Sequence, residues 1–102
     1  MLNKVIENKI SGLQALMSKH HISKAYLFGS CVGNHFSEES DVDVLVDIDE
    51  AIDPVVLGGH LWDLQFELEK LFGRKVDLLT SRSIRNPYLL SEINQTKQLV
   101  YG

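Results

Sequence analysis

Residues 41–48, Asp-Val-Asp-Val-Leu-Val-Asp-Ile, fit little other than a β-strand with two unlike faces. Side chains at i and i+2 share a face, so Val42, Val44, Val46 and Ile48 fall on one side and Asp41, Asp43 and Asp47 on the other. Asp41 and Asp43 then stand side by side, their Cβ atoms about 7 Å apart. Carboxylates that close repel unless a cation lies between them. Hard oxygen ligands suit Mg²⁺, which is commonly held by one or two carboxylates together with substrate phosphates. The plainer alternative is a solvated strand face, where charge alternating with valine is ordinary.

Upstream, Lys24-Ala25-Tyr26-Leu27-Phe28 reads as a buried strand that stops abruptly at Gly29. Gly29 lets the backbone turn tightly or approach a ligand closely. Ser30 is expected at a helix N-cap, where its hydroxyl and free N–H groups meet an anion. Ten residues separate Ser30 from Asp41. A third acid, Asp77, sits among apolar residues in Val76-Asp77-Leu78-Leu79-Thr80. A lone buried carboxylate is costly. Asp77 therefore faces water at an edge, pairs with Arg74 or Arg82, or joins Asp41 and Asp43, where it would serve as a general base.

Taken together, Gly29-Ser30, the ten-residue gap, Asp41-Val42-Asp43 and Val76-Asp77-Leu78-Leu79 resemble the minimal nucleotidyltransferases of the DNA polymerase β superfamily. The resemblance spans essentially the whole chain. It implies an α/β (α+β) fold, a palm-like mixed sheet with about four helices, in one nucleotidyltransferase domain over residues 1–102. It implies that Gly29 and Ser30 hold nucleotide phosphates, that Asp41 and Asp43 bind two Mg²⁺ ions, and that Asp77 is the third catalytic and metal-binding acid. Members move a nucleoside monophosphate from a triphosphate such as ATP to a hydroxyl. Small stand-alone members are commonly antitoxins that add AMP to a tyrosine of a HEPN-domain ribonuclease toxin. Relatives usually carry arginines after the Gly-Ser, but here the run is Gly29-Ser30-Cys31-Val32-Gly33. A guanidinium clamps phosphate bidentately, so Lys24, Arg74, Lys75, Arg82 or Arg85 must substitute or triphosphate binding weakens.

Two other functions stay open: an inactive antitoxin-like subunit that blocks its partner by contact, and nucleotidylation of a small molecule. A thiol hydrolase built on Cys31 in a strand–turn–helix elbow lacks a late histidine and a large enough sheet. Fourteen acidic against ten basic residues, with no basic cluster longer than Arg74-Lys75, argue against direct DNA binding. No apolar run is long enough for a membrane, the N-terminus lacks a signal-peptide core, and a single cysteine precludes an internal disulfide; a cytoplasmic protein is expected.

Three helices are expected around these strands. Residues 2–20 carry a core stripe of Ile6, Ile10, Leu13 and Met17, weakened by Gly12 and ending near His20-His21. His35 and His60 are expected in loops or at the surface. Residues 32–40 form a short helix or loop over the site. Asp53-Pro54 starts a second helix, with Leu57, Leu61, Leu64, Leu68 and Leu71 facing the sheet and Gly73 stopping it. Val55, Trp62 and Phe66 lie opposite that stripe, either as a self-association or partner surface or buried under the C-terminal segment. Asn86 caps the last helix, with Leu89 or Leu90, Ile93 and Val100 pointing inward.

Overall fold

The computed structural model describes residues 4–32, 37, 39–48 and 53–102. The elements are α1 (Lys4–Glu7), α2 (Ile10–Lys19), β1 (Ile22–Phe28), β2 (Val42–Ile48), α3 (Pro54–Phe72), β3 (Val76–Thr80), α4 (Pro87–Thr96) and β4 (Gln98–Tyr101), with 3₁₀ turns at Gly29–Cys31 and Ser81–Ser83. The strands form one mixed sheet ordered β3-β2-β1-β4. β1 is antiparallel to β2 and β4, and β2 is parallel to β3. A parallel neighbour requires a crossover, and α3 supplies it.

The sheet has two differently covered faces. On one, Ala25, Leu27, Val42, Val44, Val46 and Val76 are fully buried. They join a core with Ile6, Leu13 and Met17 from α1 and α2, and Leu64 and Leu68 from α3. On the other, Phe28 and Leu45 meet Ile93 of α4, with Tyr26, Leu79 and Ile84 at the margin. The valine alternation of residues 42–48 therefore behaves as read, and Leu45 is the one apolar residue that breaks it toward α4.

Local signals explain the helix ends. Asp53 Oδ1 accepts from the Val55 N–H at 2.9 Å, and Gly73 ends α3 at φ 67°, where a side chain would be strained. Asn86 Oδ1 accepts from Tyr88 N–H at 2.9 Å at the start of α4.

Several expectations are corrected. The first helix is two: Lys9 N–H donates to Ile6 O at 2.9 Å, a tightened turn that interrupts it at Asn8-Lys9. Gly12 permits close approach rather than merely weakening α2, because an added Cβ would lie 2.8 Å from Leu71 Cδ1. His60 belongs to α3 and its Nδ1 lies 3.1 Å from Nδ1 of buried His20, whose Nε2 reaches Glu67 Oε1 at 3.1 Å. Leu89 and Leu90 are exposed, and Val100 packs inward from a fourth strand, not from a helix. Val55, Trp62 and Phe66 are 84%, 79% and 62% exposed, so the C-terminal segment does not bury them. His35 and most of the 32–40 segment lie outside the described residues.

Candidate active site

Strand register does the first part of the assembly. Asp43 in β2 is the direct partner of Asp77 in β3 and of Phe28 in β1. Register partners on neighbouring strands lie about 5 Å apart and project to the same face. Asp41, two residues before Asp43 and just ahead of β2, belongs to that face as well. Its backbone position is fixed next door, where Val42 N–H donates to Lys75 O at 3.0 Å. Arg74 secures the chain further upstream by donating to the carbonyls of Ser37 and Ser40 at 2.8 and 3.1 Å.

Gly29 closes the site from β1. Its φ of 71° lies in the left-handed region, and a Cβ there would collide with Asp43 Oδ2. Two independent constraints thus demand glycine: backbone conformation and room for the carboxylate. Half-buried Ser30 follows inside the 3₁₀ turn Gly29–Cys31, so the expected helix N-cap is corrected to a single tight turn. Val32 is already extended, at φ -109° and ψ 105°, so the turn does not continue into an α-helix. Cys31 is buried, its Sγ–H donates to Phe28 O at 3.1 Å, and burial pushes its thiol pKa up. That environment disfavours the thiolate and removes the nucleophile reading.

The electrostatics follow from the crowding. Asp43 is pushed up to about 6, first by burial, then by the charges of Asp77 and Asp41 and a hydrogen bond shared with Asp77. Asp77 lies on an edge strand, exposed and beside Asp43, which combines two of the three roles left open for it. A lysine is its cationic neighbour. Lys75 Nζ stands 3.9 Å from Asp77 Oδ1 and 4.0 Å from Asp41 Oδ2.

Of the other cations named as substitutes for the absent arginines, Lys24 pairs with Asp47 in the β1–β2 register, far along the strands from Gly29. Arg82 follows β3 at the opposite end from Asp77, lining a hollow with Val46, Asp47, Ile48, Thr80 and Ser81. The association of Lys75 with the acids was within reach of the sequence, since Lys75 and Asp77 flank one residue of a strand run. The contact with Asp41, just ahead of β2, was not.

A cluster of three carboxylates crowded enough to hold one proton up to about 6 is short of positive charge, and an ammonium already stands against two of its members. The donor set therefore fits a hard divalent cation. Among the described residues no group of three or more His, Cys, Asp or Glu side chains is placed to hold a metal ion by itself. An open carboxylate set completed by substrate oxygens is the usual arrangement for Mg²⁺. Among the described residues no helix is long and apolar enough to cross a membrane.

Comparison with known proteins agrees with this geometry. Residues 9–102 match the family described as “Polymerase beta, Nucleotidyltransferase”. “Putative protein adenylyltransferase MJ1379” of Methanocaldococcus jannaschii is 38% identical over 86 residues, covering 84% of this chain and 82% of that protein. A chain in the crystal structure of a toxin-antitoxin with AMP-PNP is 26% identical with a TM-score of 0.70, over 94% of this chain and 73% of that one. A chain from a tri-AMPylated Shewanella oneidensis HEPN toxin in complex with MNT antitoxin shares the fold at a TM-score of 0.66 and 20% identity, over 94% of this chain and 71% of that one. The chain belongs to the polymerase β nucleotidyltransferase family, with the fold of its minimal members.

Proposed function

We propose that residues 1–102 act as one nucleotidyltransferase domain that moves AMP from ATP to a hydroxyl, the acceptor being a tyrosine of a cognate HEPN ribonuclease toxin. The observation that carries this reading is the register pairing of Asp43 with Asp77, with Asp41 on the same face and the Gly29 turn against them. Family membership, and relatives named for protein adenylyl transfer, support the reaction class. Likeness to chains of toxin–antitoxin complexes supports the partner.

In this reading Asp41, Asp43 and Asp77 would hold two Mg²⁺ ions. Bound there, the metal supplies charge that neutralises the triphosphate and favours ionisation of the acceptor hydroxyl. The chain's own groups do the rest. Ser30 Oγ and the turn's N–H groups orient phosphate oxygens for in-line attack. Asp77, accessible on its edge strand, takes the hydroxyl proton. The tyrosine oxygen then bonds to the α-phosphorus as the bond to pyrophosphate breaks. Exposed Val55, Trp62 and Phe66 on α3 give a partner or a second copy an apolar surface rich in favoured anchor residues.

One observation favours a second reading, in which the chain neutralises its partner by contact alone: Gly29-Ser30-Cys31-Val32-Gly33 lacks the arginine clamp. A single assay separates the two. The chain is incubated with α-labelled ATP, Mg²⁺ and a candidate cognate HEPN protein. Label on a toxin tyrosine, abolished by EDTA, is the expected result. Neutralisation without label establishes contact inhibition and overturns the enzymatic reading.

A further inference from the structure

Lys75 is the feature of the acid face that the reaction above leaves unused. Its backbone is tied to β2 through the Val42 N–H, and its ammonium reaches both Asp41 and Asp77 at about 4 Å. The Lys75 side chain is 67% exposed, so each ion pair is loosely held and the ammonium can leave without unpacking anything. The geometry points to Lys75 as a resident counter-cation that stands between Asp41 and Asp77 in the nucleotide-free chain and passes to the triphosphate when nucleotide binds. This inference rests on the site reading above and goes further by assigning the positive charge that the Gly29–Ser30 turn lacks.

Two consequences follow from charge alone. Without nucleotide, the ammonium and a divalent cation compete for the same carboxylate oxygens, so metal by itself binds weakly. With a triphosphate present, phosphate oxygens attract the ammonium off the carboxylates, freeing them for the metal while Lys75 neutralises the nucleotide. Metal and nucleotide thus assist each other's binding through one side chain, and a positive coupling of this kind is reciprocal.

Calorimetric titration of the full chain tests this without relying on turnover. Three proteins are compared, wild type, Lys75→Gln and Lys75→Arg, each titrated with MnCl₂ alone and then with a Mn²⁺ complex of a non-hydrolysable ATP analogue. In Lys75→Gln, Mn²⁺ alone should bind about threefold to tenfold tighter, the range expected from losing two exposed ion pairs. The metal–nucleotide complex should bind weaker by a similar factor, and Lys75→Arg should restore both affinities toward wild type. A purely structural role for Lys75 would not move the two affinities in opposite directions. Unchanged affinities, or a shift of both in one direction, overturn the role of Lys75 while leaving the site intact. Failure of the wild type to take up either ligand instead overturns the acid site itself, and the inference with it.

Discussion

The two faces of β2 are made by neighbouring residues and are used for opposite purposes. Val42, Val44 and Val46 are wholly excluded from solvent beneath α2 and α3, whereas Asp43 sits only partly covered beside two more carboxylates. The valine face gains from burying apolar surface, roughly 25 cal/mol per Å². The aspartate face loses by crowding like charges, as the raised pKa of Asp43 records. The stable face therefore supports an unstable one one residue away. The difference teaches that strand register here is a functional specification: a slip of one residue would bury the acids and expose the valines.

Exchanging the chemistries of the two faces gives the sharpest test. Val44→Asp places an unpaired carboxylate in a fully buried site, and a loss of more than ~4 kcal/mol is expected, enough to abolish cooperative unfolding by circular dichroism. A folded Val44→Asp protein would break the comparison. On the other face, Asp41→Asn or Asp43→Asn should leave the fold intact and reduce AMP transfer by at least ~100-fold, measured with labelled ATP. Near-normal transfer by both variants would remove these acids from the site.

A smaller effect runs the other way. Folding raises the Asp43 pKa from 3.8 to about 6, so the folded chain holds this proton more tightly than the unfolded one. The stabilisation from this proton is complete below about pH 4 and is lost as pH rises through 6. Ligand-free Asp43→Asn should therefore be more stable than wild type at pH 7, by about 1–2 kcal/mol after allowance for solvent screening, and flatter in stability between pH 4 and 6. Urea titrations across that range measure it, and equal stability at pH 7 would show that the acids are not in conflict. The smallest stability effect is expected on the outer side of α3. Trp62→Ala should change unfolding free energy by less than ~0.5 kcal/mol while weakening capture of the HEPN protein proposed as partner. Undiminished capture would exclude that surface from the interface.

What the sequence made legible is what local physics decides. The period-two run at 42–48, the leucine stripe of α3 and the caps at Asp53, Gly73 and Asn86 each depend on residues within a few positions of one another. Gly29 was readable as a turn, but its collision-free contact with Asp43 was not, because it needs the antiparallel pairing of β1 with β2. β4 was hidden for a different reason: Val100 lies seven residues after Ile93, a spacing that suits a helix, and no glycine or proline separates α4 from β4. The expected helix at Ser30 is a single 3₁₀ turn followed by extended Val32, a choice that Gly29-Ser30 alone does not encode. The contacts of Lys75 with Asp41, and of His20 with His60 and Glu67, join elements remote in sequence, and no local pattern encodes them.

The parallel pairing of β2 with β3 has a kinetic corollary. Asp43 and Asp77 are separated in sequence by all of α3, so no fragment on either side contains the acid pair. The pair comes into being only when this long-range crossover has docked, a step that loop closure makes slow relative to helix formation. A ligand gripping both acids would then act as a clasp across β2 and β3, retarding their separation. Nucleotide and metal would lengthen the lifetime of the folded chain by slowing its opening at that seam.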